Sequence, residues 1–224
     1  MHTTATHTYT KTRKLTTLAG FAAIACVLMM VVRIPVVSFL SYEPKDVAIV
    51  IAGFIFGPLA VFTLSLVVSL VEMVTVSDTG PIGLIMNIIS TCAFACTAAA
   101  IYKRRKTLSG AVFGLVCGAL LSTSVMMLWN YIIVPIYLGI PREAVVEMLL
   151  PVFLPFNLVK GGLNAALTLL LYKPLMKALR AARVVPEGEN QLVATKSGIL
   201  GVFLVAGLLL ISCVLVVLVF QGII

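Results

Sequence analysis

Six stretches of this chain are apolar for 18 to 28 residues at a time: 15–32, 47–71, 79–102, 107–134, 151–171 and 197–220. Five carry no charged residue, and 151–171 carries one, Lys160. About 20 apolar residues as a helix cross the hydrocarbon core of a bilayer. Inside that core every backbone polar group must be bonded within the protein, which leaves helices or closed barrels. Runs of this length mark spanning helices, so the chain reads as an all-α integral membrane protein. With 61% hydrophobic and 11% charged residues, against roughly a quarter charged in a soluble domain, the chain is no ordinary cytosolic enzyme, disordered protein or secreted disulfide scaffold. The first run lacks a clear small-residue cleavage site and is followed by further spans, so it is read as a helix rather than a signal peptide.

The charges then set the topology. The net charge of +8 would suggest nucleic acid in a soluble protein, but here the basic residues flank apolar runs, where they orient helices. Place Lys11-Thr-Arg-Lys14 on the cytoplasmic side and count one span per run. Lys103-Arg-Arg-Lys106 then falls outside, against the positive-inside rule. The conflict disappears if 47–71 reverses at Gly57-Pro58, where glycine eases the turn and proline cannot continue a helix. The result is seven helices, at 15–32, 46–56, 58–76, 81–102, 107–134, 151–171 and 197–220. The short helix at 46–56 covers about half the core and must be buried against its neighbours.

Arg33-Ile-Pro35 is expected to end the first helix, with a loop over 38–46. Twelve of the 16 Lys and Arg residues fall inside, while Arg33, Lys45 and Arg142 fall outside with Glu43, Asp46, Asp78, Glu143 and Glu147. The expected organisation is a cytoplasmic tail (1–14), a six-helix membrane domain (15–180), a cytoplasmic linker (181–196) and an additional C-terminal transmembrane helix (197–224) ending outside. That last helix has no charge and no asparagine, and reads as a lipid-facing appendage.

Polar groups inside apolar helices carry the functional signal. Lys160 lies about nine residues into its helix, roughly 13 Å of rise, and an intramembrane ionisable group marks function by default. The alternative is a structural pair with Glu72. Asn157, Lys160 and Asn164 share one helix face; Asn164 also suits helix-to-helix bonding. Asn130 stands between Trp129 and Tyr131, and Asn87 lies on the 81–102 helix. An amide donates and accepts, which suits the edge of a heterocycle bearing carbonyls and N–H groups. Neighbouring aromatics can stack on such a ring, although Trp129 and Tyr131 equally fit an interfacial belt. With Leu40, Tyr42, Glu43 and Lys45 of the loop after the first helix, these groups describe a pocket open to the exterior.

Small residues repeat every four positions at Gly110, Gly114 and Gly118, at Gly53 and Gly57, at Ala19 and Ala23, and at Ala22 and Cys26. Such faces let helices approach closely; the glycine repeat suits bundle packing, and the first helix could offer Ala19, Ala22 and Ala23 to a partner. Cys26, Cys92, Cys96, Cys117 and Cys213 all fall within apolar runs and read as packing residues. His2 and His7 lie in the polar tail. No metal-ligand cluster, no nucleophile–base–acid set and no phosphate-binding G-x-x-x-x-G-K-[ST] loop is present, so no enzymatic activity, metal or cofactor is expected.

Three stretches resemble the riboflavin-specific S component of energy-coupling factor (ECF) transporters. They are Phe39-Leu-Ser-Tyr-Glu-Pro-Lys-Asp46 with Gly53-Phe-Ile-Phe-Gly-Pro58; Trp129-Asn-Tyr-Ile-Ile-Val-Pro-Ile-Tyr137 with Gly139-Ile-Pro-Arg-Glu-Ala144; and Leu150-Pro-Val-Phe-Leu-Pro-Phe-Asn-Leu-Val-Lys-Gly161 with Tyr172-Lys-Pro174. The likeness covers about 15–180. It implies a six-helix bundle holding riboflavin near the outer face. Positions matching Asn130, Asn157 and Lys160 would bond the flavin ring or its ribityl chain, and the loop at Leu40 to Glu43 would close over it. The implied partners are a transmembrane T component, docked on the small-residue face of the first helix, and two ATPase subunits. The seventh helix departs from the six-helix pattern. The alternatives are an S component for another flavin or vitamin, a facilitator that needs no ATPase, or a helical membrane scaffold that transports nothing.

Overall fold

In a computed structural model of the chain the described residues are 2–37, 40–77, 79–181 and 196–221. Phe39, Asp78, Arg183 and the linker over 182–195 lie outside them. Helix α1 (His2–Val31) runs back through the segment expected as a polar tail. The expected loop after it is instead a hairpin. Strands β1 (Ile34–Val37) and β2 (Leu40–Tyr42) are antiparallel, pairing Ile34 with Tyr42 and Pro35 with Ser41, with a register shift between Pro35 and Val37. Proline has no N–H for a ladder, and irregular pairing beside it is the usual accommodation.

The reversal at Gly57-Pro58 is present. Helix α2 (Lys45–Phe56) stops at Gly57, which sits at φ +91°, and α3 (Pro58–Thr75) starts at once with proline in its first turn. A left-handed φ costs glycine nothing, and proline fits where the helix N–H groups are unpaired anyway. Ten of the twelve residues of α2 are buried. A helix apolar all round and buried all round belongs in the core, which is how an element too short to span is sheltered.

Helices α4 (Gly80–Thr91) and α5 (Thr97–Arg105) are one rod, joined by a π-helical turn at Cys92–Cys96. Helix α6 (Leu108–Leu138) is capped by Thr107, whose side chain accepts from the Gly110 N–H, and runs past the expected end at 134 through Pro135. Its glycine repeat is bundle packing: a Cβ at Gly114 would lie 2.9 Å from Ala98 O, and one at Gly118 would run into Phe94 O. Helix α7 (Arg142–Met148) passes through a second π turn, Leu149–Phe153, into α8 (Leu154–Ala181). The helix expected to start at 151 is thus reached through a π turn that contains Pro151.

Helix α9 (Lys196–Phe220) keeps the lipid-facing side expected of it and in addition packs on α8. Leu204, Val205, Leu208 and Ile211 are exposed, but Ala206 is buried, and Leu209 and Cys213 sit against Gly162 of α8. Among the described residues, five helices are long and apolar enough to cross a membrane: Lys11–Val31, Pro58–Thr75, Gly80–Arg105, Leu108–Leu138 and Arg142–Leu179.

Two apolar clusters frame the bundle. The larger joins Phe21, Ala25 and Met29 of α1 to α2, α3, α5 and the Tyr172–Met176 end of α8. The smaller lies under the hairpin and gathers Val36, Leu40, Tyr42, Val134, Val145, Phe153, Phe156, Val159 and Leu163.

Candidate functional site

A cavity opens at the hairpin end of the bundle. The hairpin segment contributes Arg33, Leu40, Ser41 and Glu43, α3 contributes Glu72, and α4 contributes Met86, Asn87 and Ser90. Helix α6 adds Met126, Trp129, Asn130 and Tyr137, and α8 adds Phe156, Asn157 and Lys160. Six of the eight residues expected at a substrate site therefore line one space: Leu40, Glu43, Asn87, Asn130, Asn157 and Lys160. The reversal at Gly57 makes this possible, because it brings the hairpin and the end of α3 to the same end of the bundle.

The other two expected residues, Tyr42 and Asn164, are buried and are not among the cavity-lining residues. The Tyr42 hydroxyl donates to Asn164 Oδ1 at 3.0 Å, and Asn164 Nδ2 donates to Asp46 Oδ2 at 3.3 Å. Burial, and then the nearby Asp46 carboxylate, push the Tyr42 phenol up from its ordinary value, so it remains a proton donor. Asn164 thus makes the helix-to-helix bonds that its position also suited.

The charges correct the sequence reading most. Glu43 and Lys45 were expected on an outer loop that contributes to a pocket open to the exterior, with Asp46 at its end, yet the three are 7%, 2% and 1% exposed. The first turn of α2 carries Lys45 and Asp46 inward, and each finds a partner there. Lys45 Nζ donates to Glu43 Oε2 at 2.9 Å and to Glu72 Oε2. Arg33 Nε lies 3.4 Å from Glu43 Oε1. Asn87 Nδ2 donates to Glu72 Oε1 at 2.7 Å, and Thr91 Oγ1 donates to Asp46 Oδ1 at 2.7 Å.

Lys160 Nζ is 3.9 Å from Asp46 Oδ2, an ion pair too long for a hydrogen bond. Its suggested pairing with Glu72 is not made; Lys45 takes that carboxylate. Among the described residues three carboxylates and three cations meet here, and a buried pair of this kind adds little net stability over an apolar pair. Lys160 is thus held by charge at the cavity with ammonium donors to spare, and Asn157 spends one amide hydrogen on Phe153 O at 2.8 Å.

Of the flanking aromatics, Trp129 lines the cavity and Tyr131 does not; the Arg142 guanidinium lies 5.2 Å from the Tyr131 ring centre. The sequence reading missed Arg33, Tyr137 and Phe156 as lining residues and weighed Glu72 only as a partner for Lys160. The signal for Glu72 was its position: a lone carboxylate closing a charge-free run. On α1, Ala19 and Ala23 are exposed, while Ala22 is half-buried and packs on the larger core.

A largely apolar cavity with a few converging amides and paired charges, set among apolar helices beneath a short hairpin, has the form of a small-molecule binding site in a membrane protein. Residues 13–172 match the family described as "ECF transporter, substrate-specific component". The chain belongs to this family of ECF substrate-specific components. It is 30% identical over 178 residues to the riboflavin transporter RibU of Staphylococcus aureus (strain TCH60), covering 75% of this chain and 93% of that protein. It is 25% identical over 189 residues to the riboflavin transporter FmnP of Bacillus subtilis (strain 168), covering 78% and 99%. A solved structure described as the S component of a bacterial ECF transporter superposes with a TM-score of 0.65 at 29% identity, covering 76% of this chain and 99% of that one.

Proposed function

We propose that this chain binds riboflavin in the hairpin-end cavity and serves as the S component of an ATP-driven ECF vitamin transporter. The observation that carries the reading is the convergence of Leu40, Glu43, Asn87, Asn130, Asn157 and Lys160, from separate segments, on one space. Asn130, Asn157 and Lys160 supply donors and acceptors for the carbonyl and N–H edge of the flavin or for its ribityl hydroxyls. Trp129, Tyr137, Leu40 and Phe156 supply apolar faces for the flat ring. The cations at the cavity each stand beside a carboxylate, which suits an uncharged ligand. The chain's relatives named as riboflavin transporters point to the same ligand.

The N-terminus and the Lys103-to-Lys106 cluster face the cytoplasm in this reading, and the cavity, hairpin and end of α9 face outward. The six-helix domain at 15–180 binds substrate. A T component docks on the exposed small residues Ala19 and Ala23 with Ala22 between them, and two ATPase subunits drive the cycle.

The test is uptake of radiolabelled riboflavin by cells without riboflavin uptake of their own. Accumulation is expected when the chain is expressed with a T component and both ATPases, and only background with the chain alone. Equal accumulation by the chain alone would replace the ATP-driven reading with a facilitator. Background uptake in the full assembly would overturn the riboflavin assignment.

A further inference from the structure

Helix α9 stands apart from the proposed riboflavin site. It begins after the end of the family match at residue 172, and none of its described residues lines the cavity. Yet it is seated. An apolar helix gains little by exchanging lipid for another apolar helix, so close packing and polar contacts must hold it. Both are present. Gly162 of α8 lets α9 approach so closely that a Cβ there would lie 3.0 Å from Cys213 Sγ and 3.4 Å from Leu209 Cδ2. Ala206 is buried, while its neighbours Leu204, Val205 and Leu208 are exposed.

The outer part of α9 then reaches the hairpin. Cys213 and Val217 pack against the cluster that contains Val36, Leu40 and Tyr42. One residue past the helix, Gln221 Nε2 donates to Pro35 O of β1 at 2.6 Å. Pro35 pairs with Ser41, and Ser41 lines the cavity. A two-stranded hairpin is marginal on its own, so its position over the cavity depends on what supports it. The support at Pro35 comes from a chain segment 186 residues distant.

We propose that α9 is a built-in brace: packed on α8, it clasps β1 through Gln221, holds the hairpin over the cavity and slows release of the bound molecule. The last part rests on the reading of the cavity as a riboflavin site. Gln221 is a positioning residue here, acting on the ligand only through the hairpin.

The test uses the full-length protein and two variants. Gln221→Glu keeps the side-chain shape and removes the donor. Ala206→Trp forces α9 off α8 without touching the hairpin or the cavity. Amide hydrogen exchange of β1 and β2 is followed without ligand, and riboflavin dissociation is followed by stopped flow. Hairpin exchange should quicken about three- to tenfold in Gln221→Glu, the worth of one hydrogen bond, and more in Ala206→Trp, with α2 and α4 unchanged. Dissociation should quicken by similar factors. Unchanged hairpin exchange in both variants would overturn the brace, and so would faster exchange with an unchanged dissociation rate. If hairpin exchange quickens but the parent chain binds no riboflavin, the brace stands and the assigned ligand falls. Should Ala206→Trp fail to fold, Gln221→Glu decides alone.

Discussion

Lys160→Ala is expected to weaken riboflavin binding by about ten- to a hundredfold, the worth of a hydrogen bond to a charged group, roughly 1.5–3 kcal/mol. The fold should survive with a small loss of stability, because buried Asp46 loses its ion pair with Lys160. Lys160 meets Asp46 only at 3.9 Å, and Asp46 keeps its bonds from Thr91 and Asn164 after the change. Affinity measured by quenching of flavin fluorescence, beside a thermal melt in detergent, separates the two effects. A large loss of affinity in a protein that still melts cooperatively, only slightly below the parent, places Lys160 at the ligand. An unchanged affinity would make it structural.

Lys45→Met should do the opposite: cripple the fold first. Lys45 is 2% exposed and bonds both Glu43 and Glu72. Removing it strands buried negative charge, which costs about 3–5 kcal/mol. Arg33 still faces Glu43, so Glu72 bears most of the loss. The double variant Lys45→Met, Glu72→Leu should recover much of the stability, because an apolar pair in place of a buried ion pair is often neutral or better. Unfolding of the two variants and the parent in the same detergent checks this. A double variant no more stable than the single one would show that the charge pair is not what the fold depends on at this point.

The elements that could be read from sequence share one property: a departure from the lipid rule. The reversal at Gly57-Pro58 was legible because four basic residues would otherwise have faced the wrong side. Burial of α2 was then required, since twelve residues cannot cross a bilayer. Lys160, Asn157 and Asn130 were legible because polar groups stand out in apolar helices.

The features that stayed hidden lack such a mark. Strands of four and three residues are too short to show an alternating pattern. Lys45 and Asp46 sit beside a proline at a break between apolar runs, where charges are usually solvated, and only the tertiary structure turns them inward. The π turns at Cys92–Cys96 and Leu149–Phe153 add one residue to a helical turn and leave no signature in hydropathy. The seat of α9 on α8 was invisible for a different reason. Lipid and a neighbouring apolar helix select the same side chains, so a packed face and a lipid face of α9 read alike.

Titration of the purified full-length chain with riboflavin tests the assignment most directly. Saturable quenching of flavin fluorescence at one flavin per chain, complete at submicromolar concentration, is the expected result. Flavin fluorescence that stays unquenched at micromolar concentration would contradict it and leave the cavity without its proposed ligand.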